Sequence, residues 1–153
     1  MAESAVSESM KSGAARVPME SDRLLQTLAL VPEKTSIELG ITLNLDGLLV
    51  TGFIISQEVY FEQLTEGVRK TNADDEMKSL LEDFLSQLKD PIIEGTADKG
   101  TFPRFIHLRD AKLYPSEGQG MPSLGSTLWR GDIDSVSGFC LGEMYSSPQQ
   151  ITR

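Results

Sequence analysis

Apolar and polar positions alternate from Ile37 to Leu45. Ile37, Leu39, Ile41, Leu43 and Leu45 are separated by Glu38, Gly40, Thr42 and Asn44. A period of two puts the five apolar side chains on one face, which predicts a half-buried strand. Asp46-Gly47 follows and predicts a tight hairpin turn. The return run LLVTGFIIS, residues 48–56, is apolar on both faces. Such a strand must be covered on both sides or sharply bent, and Gly52 in its middle suggests a bend or bulge.

The period then changes. Residues 57–70 and 74–90 fit a spacing of 3.6 better than two. In the second segment Met77, Leu80, Leu81, Phe84, Leu85 and Leu88 form an apolar stripe on a helix. Asp74 and Asp75 near its start and Lys89 near its end suit the helix dipole. Asp90-Pro91 is expected to stop it, with EGTADKGT as a loop. A shorter helix is predicted upstream, where Leu24, Leu25, Leu28 and Val31 make a stripe. Ser21 is its candidate N-cap, and Pro32 is expected to lie just past its end.

Strand character returns in FPRFIHLRDAKLY, residues 102–114. Ile106 and Leu108 are two apart and so are Ala111 and Leu113, but Leu108 to Ala111 is three. A bulge near Arg109-Asp110 would restore the face. After a turn rich in Gly and Pro, STLWRG and SGFCLGEMY complete the strand set. The order predicts an α+β fold: a small, strongly bent five-stranded antiparallel sheet or an Sm/SH3-like barrel. An N-terminal helix precedes it, and a helical insertion lies between strands 2 and 3. A more open sheet packed on the helices is the alternative. The expected organisation is a flexible tail over 1–18, one α+β domain over 19–145 with an acidic helical insert at 57–100, and a polar tail over 146–153.

Charge narrows the function classes. The 153 residues carry a net charge of −9. The insert, with eleven acidic and five basic residues, contributes −6 of that. No basic stripe is visible, which disfavours nucleic-acid and anionic-membrane partners. No apolar run is long enough to span a bilayer and the N-terminus lacks a secretory h-region, so a soluble cytosolic protein is expected. One cysteine excludes an internal disulfide and a cysteine-rich zinc site. Cys140, between Phe139 and Leu141, is expected to be a small packed thiol.

LWRGDIDSVSGFCLGEM, residues 128–144, contains Arg130-Gly131-Asp132, the tripeptide of cell adhesion. It abuts Leu128-Trp129 in a chain without an export signal, so adhesion is not expected. Arg130, Asp132, Asp134 and Glu143 could form a carboxylate cluster. Yet no nucleophile–base pair, metal helix or phosphate loop accompanies them, and no enzyme is expected. Trp129 and Phe139 are expected core anchors, with Arg130-Gly131 at a corner between strands. Arg109 and Arg130 are expected to pair with carboxylates such as Asp110 and Asp132. His107, the only histidine, is expected to be partly buried with a backbone partner.

Two segments carry a resemblance. FIHLRDAKLY, followed after the Gly/Pro turn by LWRGDIDSVSGFCLGEM, resembles the gas vesicle accessory protein GvpU family. Its pattern is FIHL, Lys-x-Tyr, WRG-x-I, V-x-GF and LG in that order. The matching residues are Phe105, Ile106, His107, Leu108, Lys112, Tyr114, Trp129, Arg130, Gly131, Ile133, Val136, Gly138, Phe139, Leu141 and Gly142. The hairpin over 37–56 and Tyr60-Phe61 fit more loosely. The tails and the helical insert show no visible match, and Asp132 and Asp134 make the WRG segment more acidic than the family pattern.

The resemblance implies a non-enzymatic gas vesicle accessory protein, cytoplasmic and at the vesicle surface, with no cofactor. It would bind shell or other accessory proteins and self-associate, in vesicle assembly or clustering. Trp129, Arg130, Tyr114, Arg109, Tyr60 and Phe61 are the candidate contacts, with Tyr145 a further exposed aromatic. The same aromatics are also natural core residues for a fold of this size. The alternatives are a small-barrel scaffold or RNA-binding protein unrelated to vesicles, and a hydrolase built on scattered carboxylates.

Overall fold

The computed structural model describes residues 20–97 and 101–144. The tails expected over 1–18 and 146–153, and Tyr145, lie outside the described residues.

Five strands form one antiparallel sheet in the order β4-β3-β2-β1-β5. They are β1 (Leu39–Leu45), β2 (Leu48–Ile55), β3 (Phe105–Tyr114), β4 (Thr127–Asp132) and β5 (Gly138–Leu141). The hairpin forms as its alternation predicts, with Leu43 opposite Val50 and Leu45 opposite Leu48. Asp46 (φ 51°) and Gly47 (φ 98°) both turn left-handed, as a two-residue hairpin of the right twist requires. The expected bulge is present as well. Asp110 sits at φ 50°, and the β3 registers with β2 and β4 both shift beside it. A Cβ on Gly52 would stand 2.8 Å from the Arg109 carbonyl oxygen, so the bulge needs a glycine opposite it.

The fold is the expected α+β class, but the sheet is open, not a closed barrel. The short 3₁₀ turn Ile133–Ser135 carries the chain from the β4 edge to the β5 edge, where β5 pairs with β1. No ladder joins β4 to β5 among the described residues. A fifth strand of only four residues offers little length for closure.

One face of the sheet holds the core. Ile41, Leu43, Val50, Ile54, Ile106, Leu108 and Ala111 meet Leu25 and Ala29 of helix α1 (Arg23–Lys34), together with Ile133. Burying each large aliphatic side chain stabilises the fold by about 1.5–3 kcal/mol. Asp22, not Ser21, caps α1, accepting from the Leu24 and Leu25 N–H groups. The inward stripe is Leu25, Gln26 and Ala29, and Leu24 stays exposed. Gln26 is also inside: its amide donates to the Pro103 carbonyl at 3.0 Å, while its Oε1 is buried without a partner among the described residues.

Pro32 does not end α1. Only its bond to the Leu28 carbonyl is lost, and the last turn closes when the Thr35 N–H donates to the Val31 carbonyl at 3.0 Å.

Helix α2 (Gln57–Arg69) leaves β2 directly and crosses the other face of the sheet. Ser56 caps it, and Glu33 of α1 accepts from the Gln57 N–H at 2.6 Å. Helix α3 (Asp75–Ala97) folds back along α2, joined by the surface pairs Arg69–Glu82 and Lys89–Glu58. It runs through Pro91, where a stop is expected, and residues 94–97 are helical where a loop is expected. Gln87, whose carbonyl loses its partner, and Pro91 are both exposed, so water can serve the orphaned acceptor.

Cys140 is exposed, contrary to the packed thiol expected. It alternates with Phe139, which packs on the core, so its own side chain faces away on an edge strand. Beyond it, the chain crosses the α2 face of β1 and β2. The Gly142 carbonyl accepts from the Thr42 hydroxyl at 2.9 Å, and the Met144 N–H donates to Thr51 Oγ1 at 2.9 Å. This satisfies the two buried threonines.

Candidate interaction site

Alternation divides each recognised segment between the two faces. In β3, Ile106 and Leu108 enter the core, while Phe105, His107 and Arg109 face the α2 side. In β4, Trp129 and Gly131 take the core side and Arg130 the α2 side. Register then places His107 opposite Arg130 and Leu108 opposite Trp129.

Arg130 is held at two points. Its Nε–H donates to His107 Nε2 at 3.2 Å, and its guanidinium carbon lies 3.7 Å from the centre of the Phe105 ring. Tyr60 of α2 packs against His107, with ring centres 4.6 Å apart and planes tilted by 47°. His107 is 3% exposed. Because it accepts a hydrogen bond at Nε2, the imidazole must be neutral, with its proton on Nδ1. Burial, with the Arg130 charge adding to it, pushes its pKa down to about 4. Burial raises the Tyr60 pKa and the Arg130 charge opposes the rise, so the phenol is also neutral. The expected backbone partner of His107 is thus replaced by a side chain.

Among the described residues Arg130 has no carboxylate partner. The Asp132 expected to pair with it instead takes Arg104 at 3.1 Å and caps the 3₁₀ turn. The Arg130 residue is exposed. A guanidinium fixed by its Nε and one face keeps its two terminal NH₂ groups for a partner carboxylate.

The other candidates lie elsewhere. Arg109 pairs with Glu38 at 2.5 Å and with Asp110, and covers Phe53, so its charge is used within the chain as expected. Phe61 is buried beside Tyr60. Tyr114 packs over Gly120, where a Cβ would stand 2.5 Å from its ring. Trp129 leans on the core, its six-membered ring lying where a Gly131 Cβ would come within 2.0 Å. The Trp-Arg-Gly order therefore has a physical meaning: the glycine makes room for the tryptophan, and the arginine between them faces the other way. Arg130-Gly131-Asp132 is strand, not loop, as adhesion would require.

So the structure brings together Tyr60 and Arg130 of the candidates and adds His107, Phe105 and Arg104. His107, Phe105 and Arg104 are not among the candidates. The i, i+2 spacing of Phe105 and His107 with Arg109 is the signal for the first two, and no pattern points to Arg104. Asp132, Asp134 and Glu143 form no cleft: Asp134 accepts from Ser21, and Glu143 lies against Gly40. Among the described residues no group of three or more His, Cys, Asp or Glu could hold a metal, and no helix is long and apolar enough to cross a membrane. A concavity of about 410 Å³ lies between α2 and α3, but its Arg69 and Lys89 are already paired with Glu82 and Glu58.

The FIHL and WRG parts of the recognised segments are therefore cross-strand partners at one edge of the sheet, while GFCL forms β5 at the other. The family described as gas vesicle protein GvpU-like matches residues 22–144. The chain belongs to the GvpU-like family. The match spans the helical insert with α2 and α3, in which no motif is visible from the sequence. It makes this a gas vesicle-related protein of an accessory family that is not known for catalysis. No curated protein and no solved structure matches the chain.

Proposed function

We propose that this GvpU-like protein is a non-enzymatic cytoplasmic accessory protein that acts at the gas vesicle surface. It works by protein–protein contact with shell or accessory proteins and by self-association, in vesicle assembly or clustering. Family membership over most of the chain supports the system. The observation that carries the contact is Arg130, fixed by His107 and Phe105 without a carboxylate partner among the described residues. The partner group that fits it is a carboxylate, taken by both NH₂ groups at once. The protein's own negative charge leaves little reason to invoke nucleic acid.

Flotation tests this. Intact vesicles rise during gentle centrifugation and carry bound protein with them. Wild type is expected to float. Arg130→Gln, folded by circular dichroism, is expected to bind roughly 10–100-fold more weakly, since a charged hydrogen bond is worth about 1.5–3 kcal/mol. Arg130→Lys should fall between, because it keeps charge without the fork. Equal flotation of wild type and Arg130→Gln would remove Arg130 from the contact. Wild type that neither floats nor co-purifies with any shell or accessory protein would overturn the function.

A further inference from the structure

The apolar stripe of α3 is exposed. Met77 is 47% exposed, Leu80 62%, Leu81 39%, Phe84 56% and Leu88 41%. An amphipathic helix normally spends this face on its own core. Here α3 meets α2 through a different side, which carries Glu82, Leu85 and Lys89. At about 3.6 residues per turn the stripe falls on the opposite side of α3, along the outer surface of the hairpin.

We propose that this stripe is the seam of self-association: α3 of one copy packs antiparallel on α3 of a second copy. The inference rests on the self-association in the proposed function and names its surface. Three observations select a second copy as the occupant. Met77, Leu81, Phe84 and Leu88 are spaced 4, 3 and 4 residues apart. That is the seam spacing of paired helices, and it reads the same in both directions. A two-fold axis between Glu82 and Asp83 therefore sets Met77 against the second copy's Leu88, and Leu81 against the second copy's Phe84. A two-fold interface needs this kind of self-complementary patch.

The area also fits. The five side chains expose roughly 500 Å² per copy, so a pair would bury roughly 1,000 Å², the lower limit of a specific, reversible interface. Finally, the charges nearest α2 are already neutralised within the chain: Glu82 by Arg69 and Lys89 by Glu58. The seam centre is left apolar, while Glu76, Asp83 and Asp90 run along one flank of the helix, Asp83 reaching the groove with α2. Two molecules of net charge −9 repel, so added salt should strengthen the pairing.

The experiment uses the full chain. Sedimentation equilibrium of wild type should give a concentration-dependent dimer that tightens with salt. Leu81→Asp/Phe84→Asp should weaken it by more than about 30-fold without changing the circular dichroism or cooperative unfolding. Those residues are exposed, so the fold does not depend on them. Geometry is tested in a Cys140→Ser background by mixing Leu81→Cys and Phe84→Cys proteins under mild oxidation. Antiparallel packing gives the mixed disulfide, whereas parallel packing would give only the two symmetric ones. A dimer unaffected by the double substitution overturns the seam but leaves self-association standing. A wild type that is monomeric at all concentrations overturns self-association itself, and the seam with it. If such a monomer still floats with vesicles and the double variant does not, the stripe takes a vesicle protein instead.

Discussion

His107 offers a sharp test, because it is the only histidine and the site depends on its being neutral. Its pKa in the fold is about 4, against an ordinary value of 6.5. A base whose pKa falls on folding holds its proton less well in the native state. Its contribution to stability is therefore complete above pH 6.5 and is lost as pH falls toward 4. The difference of about 2.5 units corresponds to about 3 kcal/mol at pH 4, a large part of the stability of a small domain.

Urea unfolding of wild type and His107→Gln between pH 7.5 and 4 would measure it. Glutamine accepts from the Arg130 Nε–H but does not titrate. Its cost is constant with pH, and the difference between the two curves isolates the histidine from the many carboxylates. The single imidazole resonance gives the pKa directly by NMR. Arg130→Leu should raise that pKa, yet leave it below 6.5, because burial is the larger cause. A native pKa near 6.5, or parallel stability curves, would refute the neutral, buried acceptor.

The remaining predictions concern packing. Gly131→Ala places a Cβ 2.0 Å from the Trp129 ring and should cost about 1–3 kcal/mol, with a change in the fluorescence of the only tryptophan. Gly52→Ala meets backbone, not a movable ring, so it should sit at the upper end of that range or beyond in thermal unfolding. Leu108→Ala, at a fully buried position, should cost about 2–5 kcal/mol. Glu38→Gln, which breaks a half-exposed pair with Arg109, should cost under about 1 kcal/mol, and less in high salt.

The sheet was legible where one signal dominated. The alternation of 37–45, the Asp46-Gly47 turn and the slip at Arg109-Asp110 are each local, and each appears in the structure. The misses arose where a local rule met a competing term. Pro32 and Pro91 read as helix stops, but each removes only one intrahelical bond, near a helix end or on an exposed side. Cys140 read as packed because its neighbours are apolar, yet on a strand neighbours face opposite ways. Closure of the sheet was not legible at all. It depends on whether β4 and β5 meet, which the length of β5 and the path of the 3₁₀ turn decide. Half of the site was equally hidden. That Arg130 takes His107 and not Asp132 depends on register across 23 residues, which no local pattern encodes.

That register also changes which substitution can probe the contact. Trp129 and Arg130 are adjacent in sequence and look like one motif. In the sheet they serve opposite faces: Trp129 fills space beside Leu108 and over Gly131, while Arg130 lies against His107 and Phe105. Loss of vesicle binding in Trp129→Ala would therefore be ambiguous, because a large packed side chain is removed and the strand that carries Arg130 is loosened with it. Removing a buried tryptophan costs about 3–5 kcal/mol, and a half-buried one correspondingly less, still enough to shift the edge strand. Arg130→Gln leaves the core face intact and removes charge and fork, together with the bond to His107 and the cover on Phe105. A variant pair that separates the two faces, Arg130→Gln against Gly131→Ala, thus divides contact from support. The first should lose binding at a stability cost of about 1 kcal/mol, too small to unfold the domain. The second should lose stability first, and binding only in proportion to the fraction unfolded.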